Sequence, residues 1–440
     1  MRAYSQYRPS GSDWLGDVPS SWNLSPLKHM ADFVNGAAFK PDTWAEEGTP
    51  IIRIENLNGG DTFNFYEGDM DARYHVEEGD ILFGWSGNRG TSFGPFLWSR
   101  PGRYFLNQHI FNVRDFECDR QWFYWCLKAV TQYVEQQAHG IIGMVHVTKG
   151  NLGRIKVPEP PLPEQRAIAG FLDRETAKID ALVEEQRRLI ALLKEKRQAV
   201  ISHAVTKGLD PAAHMKPSGI DWLGDIPAHW EVTQLKRLVK DGTSITYGIV
   251  QAGPMLEEGI PYIRTSDMSG SDLPSDGYPL TSPEIEGSYE RSRVFPGDLV
   301  IAIRATIGKV LPVPDDLPMA NLTQGTAKFS PGVDVLRDFA CYVIGADAAQ
   351  HYFSLHSKGA TFQEITLDAL RRLPVVLPPL VEQAEIAAFL NAEVARFGQL
   401  ITEASRAITL LQERRSALIS AAVTGKIDVR DTMIDSTEAA

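Results

Sequence analysis

The residues from Leu162 to Gly208, LPEQRAIAGFLDRETAKIDALVEEQRRLIALLKEKRQAVISHAVTKG, occur twice, and no other feature of the sequence limits the fold as tightly. The second copy runs from Pro378 to Gly425 as PPLVEQAEIAAFLNAEVARFGQLITEASRAITLLQERRSALISAAVTG. A shift of 218 positions sets Glu164 on Glu382, Ile168 on Ile386, Leu172 on Leu390, Leu193 on Leu411, Arg197 on Arg415 and Thr206 on Thr424. In the first copy Ile168, Leu172, Ile179, Val183, Ile190, Leu193, Val200 and Ala204 recur at three- and four-residue steps, with Glu185, Arg188 and Lys194 between them. That period marks one apolar face of a helix. Some forty residues at 1.5 Å each make a rod of roughly 60 Å, and a seam that long needs a partner rod to cover it. Because the stripe returns in the same register, each copy is expected to pair with the other as a coiled coil.

The duplication is wider than the helix. PSGSDWLGDVPSSW, from Pro9 to Trp22, returns as PSGIDWLGDIPAHW, from Pro217 to Trp230, identical at ten of fourteen positions with an offset of 208. Two tryptophans in register exclude coincidence. The repeating unit is a lead-in, a globular module and a rod, run twice. Growth of the offset from 208 to 218 gives the second module about ten extra residues. Prolines and glycines keep the lead-in out of a helix, so Asp13 to Trp22 reads as a bent loop clamped by its aromatics.

From Leu24 to Val157 the pattern changes to short runs rich in Ile, Val, Phe and Tyr: TPIIRIEN (Thr49 to Asn56), DILFGWSG (Asp80 to Gly87), RYFLNQHIFNV (Arg103 to Val113) and GRIKVP (Gly153 to Pro158). These are strand signals, with a helical patch from Gln121 to Gln137 among them. The second module matches with IPYIRTSD (Ile260 to Asp267), GDLVIAIRATIGKV (Gly297 to Val310), NLTQGTAKFS (Asn321 to Ser330), a helical patch from Leu336 to Tyr352, and LRRLPVVLPPL. Both are α+β modules. Each keeps a Gly-Asp pair before a strand, Gly79-Asp80 and Gly297-Asp298, while the residues expected at the surface differ almost throughout. A duplicated frame with diverged tips suits two readers built on one scaffold and aimed at different targets.

Four hundred and forty residues, 43% hydrophobic, suffice for two to four domains. Three scattered cysteines, Cys118, Cys126 and Cys341, form neither a disulfide framework nor a Cys-x-x-Cys zinc pair, which points to the cytoplasm. The N-terminus has no signal-like apolar run, and no stretch approaches the length of a membrane span. A net charge of -12 argues against a general nucleic-acid binder. Charge acts within a Debye length of about 8 to 10 Å, however, so a basic cleft can exist on an acidic molecule.

No catalytic constellation is present in the sequence. Phosphate-loop, dinucleotide-turn and His-Glu-x-x-His patterns are absent, as is the (Asp/Asn)-Pro-Pro-aromatic pocket of adenine methyltransferases. Pro160-Pro161 and Pro378-Pro379 instead precede Glu-Gln pairs and open the rods, where proline suits a helix start. His109 and His146 lack an obvious acid partner, Asp80 and Asp298 read as turn formers, and Glu164 and Glu382 are placed to cap the first helical turns. Catalytic, cofactor and metal residues are therefore expected to be none.

The loops are better suited to binding. WSGNRGTSFG (Trp85 to Gly94) offers Asn88, Arg89, Thr91 and Ser92 on a glycine-rich tip, and LNQHI offers Asn107 and Gln108 beside His109. In the second module TSITYGIVQAG supplies Tyr247 and Gln251, IRATIGK supplies Arg304, Thr306 and Lys309, and NLTQG supplies Asn321, Thr323 and Gln324. Arg and Lys donate to guanine O6 and N7, while Asn and Gln pair with adenine N6 and N7, so these residues are the candidate contacts to duplex DNA.

PSGxxWLGxxPxxW, the Pro-Pro-Leu-x-Glu-Gln start of each rod, the SHAVTKGLD and SAAVTGKID ends, TYGIVQAG and GDLVIAIRATIG together resemble the specificity subunits of type I restriction-modification systems over nearly the whole chain. The resemblance implies target-recognition domains in the two modules and antiparallel pairing of the two helices. It implies no catalytic residues, and partners comprising double-stranded DNA, two modification subunits and restriction subunits. S-adenosylmethionine for adenine-N6 methylation, and ATP and Mg for restriction, are then expected on the partners, with no cofactor in this chain. Antiparallel rods of equal length would relate the modules by a pseudo-twofold axis and act as a ruler between two half-sites. The target would be split and asymmetric. Two alternatives stand: the specificity subunit of another restriction class working with a fused nuclease-methyltransferase, and a coiled-coil scaffold whose modules bind protein. The expected organisation is a first recognition domain at 1–160, a long helix at 161–208, a second recognition domain at 209–377, a second long helix at 378–428 and a disordered tail at 429–440.

Overall fold

In the computed structural model, which describes residues 2–137, 144–359 and 363–431, each lead-in is an antiparallel ribbon. Tyr7–Pro9 pairs with Asp17–Pro19, and Met215–Pro217 pairs with Asp225–Pro227. The expected bent loop thus has two short strands as arms. Its prolines close the strands, where no ladder N–H is required of them. The aromatic clamp is as expected: Trp22 and Trp230 are buried.

The chain divides into two units, residues 1–187 with 406–440, and residues 188–405. Each unit therefore takes one part of each long helix. The first helix spans Leu162–Lys207 and the second Leu380–Val423, inside the expected limits. In the first unit Ile168 and Leu172, near the start of the first helix, share a core with Ile419, Ala422 and Val423 at the end of the second. In the second unit Ile201, Ala204 and Val205 share a core with Ile386 and Leu390. Opposite helix ends meet within each unit, so the pairing is antiparallel, and the apolar stripe is what it buries. Gly398 does not break the second helix; a Cβ there would meet nothing within 4 Å.

The two modules share one topology. In the first, an antiparallel sheet runs Gly94–Leu97, Ile81–Gly84, Ile110–Arg114, Asp32–Asn35. A second sheet runs Asn64–Tyr66, Thr49–Ile52, Tyr104–Leu106, His75–Val76, with Phe105 beside Ile51 in a parallel central pair. In the second module the orders are Val310–Pro312, Leu299–Ala302, Thr326–Phe329, Thr246–Tyr247, and Leu280–Thr281, Ile260–Ile263, Asn321–Leu322, again with a parallel pair. Strands buried on both faces, such as ILFG and LVIA, are continuous apolar runs. Phe33 packs edge-on against Phe83 and Phe111. Burying each such ring contributes roughly 1.5–3 kcal/mol. The helix Arg120–Gln137 lies close to its expected position. Its counterpart is two helices, Arg337–Gly345 and Asp347–His356, broken at Ala346, whose backbone is extended.

The Glu-Gln pair at each helix start ties the module to the helix. Glu164 is not a cap: its carboxylate accepts hydrogen bonds from Trp22 Nε1 at 2.9 Å and from the Tyr4 hydroxyl at 3.2 Å. Burial and the adjacent carboxylate push the Tyr4 phenol up from its ordinary value, keeping it a donor. Glu382 accepts from Trp230 Nε1 at 2.9 Å in the same way. Gln165 accepts from the Asp119 backbone N–H at 2.7 Å and donates to the Pro160 carbonyl; Gln383 does the same with Leu336 N–H and the Pro378 carbonyl. Asp80 and Asp298 are turn formers, accepting from the backbone N–H groups of Glu77 and Phe295.

The expected disorder from residue 429 begins too early. Asp428 bridges to Arg2, Val429 is buried, and Arg430 holds Asp428 at 2.6 Å and stacks on Tyr4. The rest of the expected tail, 432–440, lies outside the described residues.

Candidate nucleic-acid interface

The polar loops gather at one corner of each module because a tight turn joins the two sheets there. In the first module the chain turns from Asn107 to Ile110, splitting RYFLNQHIFNV into two strands, and Ile110 N–H closes on the Asn107 carbonyl at 3.1 Å. Asn107 N–H donates to the Ile52 carbonyl, and Ala37 N–H to the Leu106 carbonyl. Gly36 permits that approach, since a Cβ there would lie 2.2 Å from the Leu106 oxygen. In the second module Thr326 N–H closes on the Thr323 carbonyl at 3.2 Å, Thr323 N–H donates to Ile263, and Ile249 N–H to Leu322. Gly248 has the role of Gly36, with a Cβ only 1.9 Å from the Leu322 oxygen.

Trp85 Nε1 donates to the Gln108 carbonyl at 3.1 Å, bringing the strand Ser86–Asn88 to the first turn. Asn88, Arg89, Thr91 and Gln108 are exposed there, and Asn107 is half-buried. Ser92 is a correction. It is buried, and its hydroxyl accepts from Asn88 N–H at 2.7 Å, which makes it a brace of the tip and takes it out of reach of a ligand. A cleft of about 320 Å³ beside the turn is lined by Phe39, Trp44, Arg53, Glu55, Asn107 and Gln108, among others.

In the second module Ile303 N–H donates to the Gly325 carbonyl at 2.9 Å, bringing Arg304 and Thr306 to the turn that carries Thr323 and Gln324. Ala305 between them has φ 60, a left-handed conformation that holds the tip in a sharp bend. Thr306, Tyr247 and Gln251 are exposed. Arg304 is paired with Glu364 at 2.8 Å, and Lys309 donates to the carbonyls of Ser269 and Gly270, so both cations are held in place. Asn321 is a second correction. It is fully buried one residue before the turn strand ends, bonded to Ser292, Glu286 and the Tyr289 carbonyl, and serves the scaffold.

Sequence reasoning missed Arg53 and Arg264, which stand at the ends of equivalent strands. The signal was available as Pro-Ile-Ile-Arg (Pro50 to Arg53) and Pro-Tyr-Ile-Arg (Pro261 to Arg264). Arg53 donates to Asn64 at 2.7 Å, lies 3.3 Å from Glu55 and stacks on Trp44. Arg264 is bound bidentately by Asp267, which holds its guanidinium above its ordinary pKa.

These corners offer amides, hydroxyls and guanidinium groups, the donors and acceptors suited to base edges and phosphates. Burial pushes the thiols of Cys118 and Cys341 up to about 12, and that of Cys126 upward too, far from the thiolate a nucleophile needs. Among the described residues no group of three or more His, Cys, Asp and Glu could hold a metal, and no helix is long and apolar enough to cross a membrane.

A reading module run twice on paired helices is the plan of a recognition subunit, and comparison with known proteins gives its family. The family described as "Type I restriction modification DNA specificity domain" matches residues 19–190 and again 229–408. The chain belongs to the specificity subunits of type I restriction-modification systems, with two target-recognition domains. It is 26% identical over 423 residues to the type I restriction enzyme EcoBI specificity subunit of Escherichia coli, covering 94% of this chain and 88% of that one. It is 24% identical to the MjaVIII specificity subunit of Methanocaldococcus jannaschii, covering 94% and 95%. Among solved structures, the HsdS subunit from Thermoanaerobacter tengcongensis shares the fold with a TM-score of 0.51 at 17% identity, covering 93% of this chain and 98% of that one. A chain from work on assembly and conformational transition of the type I R-M system matches with a TM-score of 0.63 at 18% identity, covering 93% and 99%. The family is non-catalytic.

Proposed function

We propose that each recognition domain reads one half of a bipartite, asymmetric duplex DNA target in the cytoplasm, and that the long helices fix the spacer between the halves. The observation that carries this reading is the pair of corners: one backbone frame, closed by the same hydrogen bonds, bearing different side chains. Unlike side chains on one frame read unlike sequences.

The helices also dock two modification subunits. Leu182 and Leu192 on the first helix are 45% and 52% exposed, and Leu400 and Leu410, their counterparts on the second, are 38% and 54% exposed. Exposed leucines recurring in register on both helices suit two copies of one partner. The modification subunits supply S-adenosylmethionine and methylate adenine N6, and restriction subunits supply ATP- and Mg-dependent cleavage. This chain contributes recognition alone.

The test is to map methylated adenines in the DNA of cells with and without the gene. The reading expects two short, unlike sequences at a fixed separation, methylated only when the gene is present. A gene-dependent signal of one continuous sequence, or none, would overturn it.

A further inference from the structure

The two corners correspond residue by residue: Ile52 with Ile263 and Asn107 with Thr323 as bonded pairs, then Gln108 with Gln324 at the same position of the same turn. Around that position nearly everything has changed. His109 faces Gly325 in the comparison, Glu55 faces Ser266, Ser86 faces Arg304, Asn88 faces Thr306 and His146 faces Glu364. Two side chains that reach solvent recur, the arginines and the glutamines. The arginines have a reason within the fold, since each is tied to acceptors of its own module.

The glutamines have none. The second position of a tight turn favours proline or short polar residues, and glutamine supplies nothing the backbone needs there. Gln108 is exposed, and its amide touches only the neighbouring His109 ring, at 3.4 Å. The Gln324 amide has no hydrogen-bond partner among the described residues. An unspent amide offers one donor and one acceptor side by side, the pattern that matches N7 and N6 of adenine.

We infer that Gln108 and Gln324 each read an adenine, so that two otherwise unlike half-sites share an A·T pair at the position each glutamine contacts. This rests on the two-reader function proposed above. Divergence of the surrounding residues sets the other positions apart, while the shared amide keeps one position alike.

The experiment uses the full chain assembled with its modification subunits and maps methylation for the parent and for Gln108→Leu, Gln108→Glu, Gln324→Leu and Gln324→Glu. Each leucine variant should lower preference at one base pair of one half-site by about five- to 150-fold, as expected for loss of a bidentate base contact. The two affected positions should lie in different half-sites and both be A·T in the parent target. The glutamate variants, which keep the side-chain shape but accept only, should shift that position toward cytosine. Unchanged preference in the variants, affected positions that are not A·T, or loss of all methylation with leucine and glutamate alike would overturn the inference while leaving the two-reader function standing. A parent chain without a two-part target would overturn the function itself.

Discussion

Removing the Glu164 carboxylate should destabilise the first unit far more than its place at a helix start suggests. Trp22 is 1% exposed, and Glu164 is the acceptor for its indole N–H at 2.9 Å. Stranding a buried donor costs about 1–3 kcal/mol. Losing the bond from the Tyr4 hydroxyl adds about 1 kcal/mol, whereas Arg430, 3.9 Å away and half-exposed, adds little. Glu164→Ala should therefore cost about 2–4 kcal/mol. Glu164→Gln keeps an acceptor oxygen and should recover most of this. Glu382→Ala should cost less, because that side chain is 35% exposed and water can replace it. Urea unfolding followed by tryptophan fluorescence gives the magnitudes, and hydrogen exchange shows which unit opens. A Glu164→Gln variant as damaged as Glu164→Ala would refute the reasoning, since the carboxylate's charge, and not its acceptor, would then be what matters.

Two glycines should respond oppositely to alanine. Gly425 has φ 74 and a Cβ there would lie 2.4 Å from Pro19, so Gly425→Ala should lower the melting temperature sharply; Gly398→Ala, mid-helix and unobstructed, should stabilise by about 1 kcal/mol. Burial, with Arg415 nearby, lowers the Lys128 ammonium to about 8 from 10.5. The folded first unit then releases that proton before the unfolded chain does, so stability should rise with pH above about 8, and Lys128→Met should abolish that rise in pH-dependent melting. Inserting four residues, just over one helical turn, near Leu193 or Leu411 adds about 6 Å. The mapped spacer should lengthen by about two base pairs, and an unchanged spacer would count against the helices as a ruler.

The duplicated helices were legible because a 3.6-residue stripe in register allows one arrangement, and their ends fell within a few residues of the expected limits. Strands rich in Ile, Val and Phe were legible for the same kind of reason. The turn at Gln108 was hidden inside RYFLNQHIFNV, where apolar residues on both sides made one strand of two. Asn321 looked like a loop residue because its buried partners Ser292 and Glu286 are some thirty positions away in sequence. Ser92 likewise gave no sign that its hydroxyl braces Asn88. Glu164 resembled a cap by position alone, and only the fold brings Trp22 to it. The break at Ala346 had no proline or glycine at the site itself to announce it beyond Gly345, the last residue of the preceding helix.

Two independent readers on one chain can be tested by exchanging residues 24–157 for the matching module of a related specificity subunit and mapping methylation again. One half-site should change, with the other half-site and the spacer preserved. A change in both half-sites would contradict the account.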